Sequence, residues 1–166
     1  MARSIDYRST LRFPAEKAFA AMTDRGYLEA RLRELGGPGS ALLEHEASPD
    51  GARYRLRQGV SESDLPPVVG KVVGGNLVIE RTETLRRTQD GRYSGDVEVA
   101  IPGAPAAANG TMTLADDGDG SLFAVNADVT VKVPIFGGKI EEIVAEQVRR
   151  LLEAETAFTV RWLGAH

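Results

Sequence analysis

The sequence predicts an α+β fold: a seven-stranded curved antiparallel sheet, two short helices after the first strand, and one long C-terminal helix. Three observations predict it. Stretches with a period of two recur along most of the chain, separated by turns too short for parallel crossovers. Apolar residues at helical spacing follow the first such stretch and return as one long stripe near the C-terminal end. No internal repeat, linker or low-complexity run divides the 166 residues, so 1–166 is expected to form a single domain.

The first strand is read over Ser4 to Phe13, with Ile5, Tyr7, Ser9, Leu11 and Phe13 on one face. Pro14 opens a helix over Ala15 to Met22, and Thr23-Asp24 is a cap signal for a second. That second helix carries Tyr27, Leu28, Leu32 and Leu35 on one face until Gly36-Gly37-Pro38-Gly39 stops it. Strands over Ala41 to Ala47 and Ala52 to Gln58 are joined by the turn Ser48-Pro49-Asp50-Gly51. Four more strands are read over Leu77 to Arg87, Tyr93 to Ile101, Ala106 to Ala115 and Ser121 to Val133.

One stretch breaks the strand rhythm. Leu65, Val68, Val69, Val72 and Val73 form a helical stripe begun by Pro66-Pro67 and closed by Gly74-Gly75. Valine is a poor helix former and Gly70 lies inside the pattern, so such a helix depends on burying the stripe. The last helix is read from about Gly138 to Leu163, with Ile140, Ile143, Val144, Gln147, Leu151, Ala154, Phe158 and Trp162 along its apolar side. A sheet that is apolar on one face must cover it, and a single helix of this length can lie along the trough. A rod does not fill a trough, so a cavity is expected between them, and a persistent apolar void is usually a ligand site.

Composition narrows the function classes. The apolar and charged shares, 42% and 27%, are those of a soluble globular protein. A net charge of −4 argues against a nucleic-acid surface. With no cysteine there is no disulfide, thiolate nucleophile or cysteine metal site, which fits a cytoplasmic setting. The start of the chain has no apolar h-region, and no run approaches about 18 uncharged apolar residues, so no stable membrane insertion is expected.

Two motifs carry a resemblance. The first is Val133-Pro134-Ile135-Phe136-Gly137-Gly138-Lys139-Ile140-Glu141, leading from the last strand into the terminal helix. The second is Asp64-Leu65-Pro66-Pro67-Val68-Val69 with Gly74, followed by Val78-Ile79-Glu80-Arg81-Thr82-Glu83-Thr84. With the order of elements, they resemble the helix-grip superfamily (START-like or polyketide cyclase-like, SRPBCC) over nearly the whole chain. More narrowly, the chain resembles an uncharacterised, largely actinobacterial family within it. That family commonly has tryptophan where this chain has Leu85, a departure expected to change pocket shape more than fold. The resemblance implies a pocket for a hydrophobic ligand and no particular reaction.

The alternating faces predict a cavity lined by Tyr7, Tyr54, Leu56, Val97, Val99, Met112, Val125 and Ala127, with Leu151 added from the terminal helix. Arg81 and Glu83 share a strand face with Leu77, Ile79 and Leu85. Either that face is concave and the pair can orient a polar head group, or Val78, Thr82 and Thr84 line the cavity instead. Gln147 interrupts the helical stripe and either meets the ligand or flanks it; Glu155 is expected at the flank. His45 is expected to be a surface or edge histidine; the alternative is a general base facing the cavity beside Tyr7 or Tyr54. One usable histidine and no cysteine predict no metal site and no cofactor. Gly137-Gly138-Lys139 lacks the pattern of a phosphate loop, and Asp116-Asp117-Gly118-Asp119-Gly120 lacks the closing glutamate of a calcium loop.

The expected function is binding or carrying a lipid-like or polycyclic molecule. The alternatives are a cyclase or hydratase using His45, Tyr54 or Glu83 as acid or base, and a protein-interaction module docking through the Leu65–Val73 stripe. The stripe is also expected to cover the cavity mouth, either as a mobile gate or as a rigid lid.

Overall fold

The computed structural model describes residues 2–166. The chain runs β1 (Ala2–Leu11), α1 (Ala15–Met22), α2 (Arg25–Leu35), β2 (Ala41–Ser48), β3 (Gly51–Val60), a 3-10 turn (Glu62–Asp64), α3 (Pro67–Val73), β4 (Leu77–Gln89), β5 (Arg92–Ala100), β6 (Ala106–Asp117), β7 (Gly120–Val131) and α4 (Gly137–Ala165). Most boundaries fall within two residues of the sequence reading, and every predicted element is present.

The strands form one antiparallel sheet in the order β1-β7-β6-β5-β4-β3-β2. From β2 to β7 consecutive strands pair, all through short turns except β3 and β4, whose connection holds the 3-10 turn and α3; β1 pairs with β7, from Ala2 opposite Thr130 to Leu11 opposite Ser121. β1 and β2 are therefore opposite edges, and α1 and α2 carry the chain from one edge to the other. The hairpins β2–β3, β4–β5 and β6–β7 lie at one end of the sheet together with the exit from β1. The β3–β4, β5–β6 and β7–α4 connections lie at the other end.

The sheet curves where strands have no room for a side chain. A Cβ on Gly95 of β5 would stand 1.7 Å from the Thr84 carbonyl oxygen, and one on Gly110 of β6 would stand 2.0 Å from that of Asn126. Ile5, Tyr7 and Leu11 of β1, Tyr54 and Leu56 of β3, Leu85 of β4 and Leu114 of β6 are buried on the concave side. Leu85 is fully buried in the core.

Local chemistry sets the helices. The Asp24 carboxylate accepts a hydrogen bond from the Tyr27 amide at 3.0 Å, capping α2 as the sequence signal requires. Pro66-Pro67 starts α3, and Gly74 ends it in the left-handed conformation with φ 67°. Val69 is buried and Val68 and Val73 are half-buried against the core, which offsets the poor propensity of the segment.

α4 departs from expectation in its azimuth. Its buried line runs through Leu152, Glu155, Phe158, Thr159 and Leu163, one residue further along than the predicted Leu151, Ala154 and Trp162, which are half-buried. Glu155, expected at the flank, is inside. The rotation follows from its partners: a helix turned to bury only apolar residues would leave Arg31 without an ion-pair partner and Arg81 with Glu83 alone.

Candidate functional site

A cavity of about 430 Å³ lies between the concave face of the sheet and the N-terminal half of α4. Of the residues predicted to line it, Arg81, Val97, Val99, Met112, Val125, Ala127, Gln147 and Leu151 do so. Glu83 lies in the wall as well, so the β4 face left open by the sequence is settled: Arg81, Glu83 and Leu85 point inward. The wall is completed by Ile143, Val144, Val148 and Leu152 of α4, Val129 and Val131 of β7, and Leu65, Pro66 and Val69 at α3.

The structure places three predicted lining residues elsewhere. Tyr7 is buried in the core and donates from its hydroxyl to Thr156 Oγ1 on α4 at 2.9 Å. Tyr54 donates to Glu83 Oε1 at 2.7 Å and stands behind it, away from the cavity. Leu56 is fully buried and does not reach the wall. Period-two alternation assigned all three to the correct face; it does not say which part of a long trough α1, α2 and the C-terminal half of α4 fill.

One end of the cavity is closed by charge. Arg81 makes a two-pronged pair with Glu155, Nη1 to Oε2 at 2.9 Å and Nη2 to Oε1 at 2.8 Å, and its Nε donates to Glu83 Oε2. The Arg81 Nη1 also lies 3.5 Å from Gln58 Oε1 on β3. From α2, Arg31 brings a second guanidinium to Glu155, Nε to Oε2 at 3.7 Å. All four charged residues are buried. β4, α4 and α2 thus meet in a neutral set of two arginines and two glutamates.

The electrostatics follow from geometry. Burial alone would raise the Glu155 carboxyl, but Arg31 and Arg81, with hydrogen bonds from Arg81 and Gln58, hold it down at about 2. Burial opposes the charge on Arg81, and Glu155 and Glu83 more than offset it, leaving that guanidinium firmly protonated. Burial, then the Glu83 charge, pushes the Tyr54 hydroxyl well up, so it remains a donor. Arg31 Nε and Nη2 have no hydrogen-bond partner. Beside them, against Glu155, Thr156 and Thr159, is a small cavity of about 20 Å³, on the scale of a single water.

His45 stands outside both cavities. Its Nε2 lies 2.7 Å from the carbonyl oxygen of Thr23, which can only accept, so Nε2 carries the hydrogen and ties β2 to the end of α1. This is the satisfied edge histidine expected from the sequence, without a partnership to Tyr7 or Tyr54. Besides Tyr7, Tyr54 and Leu56, sequence reasoning misplaced Glu155, expected at the flank and found buried. The signal was present: Glu155 stands in line with Leu152 and Thr159 at helical spacing, and only ionic partners would allow a carboxylate there.

Residues 6–163 match the model of DUF2505, described as a protein of unknown function. The chain belongs to this family. It is 26% identical over 170 residues to uncharacterized proteins of Mycobacterium tuberculosis and Mycobacterium bovis, with 98% of each chain covered. Among solved structures it resembles a START superfamily protein from Mycobacterium smegmatis, at 15% identity and TM-score 0.53, covering 96% of this chain and 98% of that one. A Thermus thermophilus protein superposes with TM-score 0.63 at 14% identity, with 98% of each chain covered. At these identities the likeness shows the fold, and that fold is the START-like helix-grip predicted from the sequence.

Proposed function

We propose that this DUF2505 chain binds and carries a hydrophobic small molecule, lipid-like or polycyclic, in the cavity between sheet and α4. The observation that carries the proposal is the cavity itself: about 430 Å³, walled almost entirely by aliphatic side chains and closed at one end by Gln58, Arg81 and Glu83. Pockets that hold small molecules typically measure about 300–1,000 Å³ and combine such walls with a few placed polar groups. The apolar body of the ligand lies along Val97, Val99, Val125 and Ala127, and any polar group turns toward the charged end. Glu83 supports binding better than acid–base chemistry, because both its oxygens are already held, by Tyr54 and Arg81. Leu65 and Val69 face the cavity, which favours a lid over a docking stripe for another protein. The lack of cysteine supports a reducing, cytoplasmic setting.

Native mass spectrometry of freshly purified protein tests the proposal, with a co-purified small molecule as the expected result. Ala127→Trp, which fills the cavity, should abolish both that adduct and the fluorescence of an environment-sensitive naphthalene dye. Absence of any adduct, together with dye fluorescence unchanged by Ala127→Trp, would defeat it.

A further inference from the structure

The end of the sheet that carries the cavity opening differs from the rest of the surface. The cavity wall passes from buried Arg81 and Glu83 to partly exposed Leu65, Leu77 and Ile101, so it opens where the β3–β4, β5–β6 and β7–α4 connections lie. Four large hydrophobic residues are exposed among the described residues: Val72, Val78, Ile135 and Phe136. All four sit at this end, on α3, at the start of β4, and in the loop before α4.

Ile135 is the most telling. It is 94% exposed and holds φ 70°, the only non-glycine with positive φ among the described residues. A β-branched side chain disfavours that conformation, and nothing in the fold is packed against it in return. Phe136 beside it is 55% exposed. The loop therefore accepts local strain to hold two large apolar side chains in solvent.

Charge gives this end its partner. The chain has four lysines, and three of them, Lys71, Lys132 and Lys139, flank these apolar residues and are exposed. Every salt bridge among the described residues is made by an arginine, and these three lysines pair with no carboxylate. Of the acidic groups nearby, Glu142 lies 3.8 Å from Arg3, and Glu141 accepts from the Val131 amide. Glu62 and Asp64 on the 3-10 turn are exposed and without a cationic partner, as are Glu98 of β5 and Asp128 of β7 within three residues of the same end.

We propose that this rim docks reversibly on an anionic lipid surface, with Ile135 and Phe136 entering the interface and Lys71, Lys132 and Lys139 meeting the headgroups. Apolar side chains ringed by unpaired cations are what such a surface binds. Docking here would set the cavity opening against the membrane, where apolar molecules reside. The inference goes beyond ligand carriage, and vesicle binding is measured independently of what fills the cavity.

Co-sedimentation tests it, using vesicles of equal parts phosphatidylglycerol and phosphatidylcholine beside vesicles of phosphatidylcholine alone. The full chain should pellet with the anionic vesicles only, and be released in about 1 M salt, where the screening length falls to about 3 Å. Removing each rim lysine by Lys→Gln should weaken binding about fivefold. Ile135→Asn is the decisive variant. Asparagine tolerates positive φ, so the protein should become more stable while vesicle binding falls, a pairing that misfolding does not produce. No binding to anionic vesicles, equal binding to both kinds, or binding unchanged by Ile135→Asn with Phe136→Asn would overturn the proposal. So would a dimer in light scattering that these two substitutions dissociate, since the face would then belong to a second copy.

Discussion

The two halves of α4 face the same sheet and do opposite things. Beyond Leu152 the helix packs closely, leaving only the small cavity of about 20 Å³ beside Glu155. Phe158 lies against Tyr27, with ring centroids 5.5 Å apart, and Trp162 adds an edge contact to Tyr27 at 5.8 Å. Tyr27 in turn shares a hydrogen bond of 2.6 Å with Thr159. The first turn is tied to β7, where Glu141 accepts from the Val131 amide; between there and Leu152, Ile143, Val144 and Val148 look into open volume. The boundary is the ionic set at Glu155. α1 and α2 fill the trough at one end only, so the sheet that forms a core there forms a container at the other. Close packing and open volume are divided along one helix.

The largest effect that would sharpen this division is at the boundary. Glu155→Ala leaves Arg31 and Arg81 buried without their shared anion and should cost about 5 kcal/mol, the upper end for breaking a buried pair. Denaturant titration measures it, and a loss below about 1 kcal/mol would mean the set is not what separates the halves. Next comes a pair of truncations across the boundary. Phe158→Ala should cost about 4 kcal/mol as a large-to-small change in packed core. Leu151→Ala, beside existing volume, should cost less than about 2 kcal/mol because it removes contacts on one side only. Equal costs would break the comparison.

Acid should act through the same boundary. The folded Glu155 carboxyl titrates near 2, below its ordinary value of 4.5. Its contribution is therefore complete above about pH 4.5 and is lost as pH falls through about 2. That contribution is about 3 kcal/mol. Comparing wild type with Glu155→Gln isolates it: the stability gap should narrow as pH falls below about 4.5. A gap constant from pH 7 down to 2 would show that Glu155 is not held as an anion.

The smallest effect concerns α3. It should open to admit ligand, so amides of Val68–Val73 should exchange faster than those of Val125–Val131 and slow when dye is bound. Gly70 has no atom within 4 Å of where a Cβ would stand. Gly70→Ala should therefore stabilise α3 by up to about 1 kcal/mol and slow dye entry. Equal exchange in both segments, unchanged by dye, would make α3 a fixed part of the wall.

Much of this was legible in local pattern. Period two gave the strands and, except for β4, their faces, Asp24 the α2 cap, and the proline and glycine flanks the limits of α3. The cavity was partly legible, since Val97, Val99, Met112, Val125 and Ala127 lie where alternation put them. Tyr7, Tyr54 and Leu56 were assigned to the right face and the wrong place. Whether an inward residue meets a ligand or a helix depends on what fills the trough at its level, and that is a long-range fact.

The sequence by itself determined the element order, the antiparallel sheet, the one long helix and the presence of a void between them. These follow from periodicity and short turns, which act between near neighbours. Only the tertiary structure decided the azimuth of α4, the inward turn of Arg81 and Glu83, and the burial of Glu155. Arg31, Arg81 and Glu155 stand 50 and 74 positions apart in the chain. A charge can be buried only where its partners converge, and that convergence exists only once the sheet has curled and α2 and α4 have closed on it.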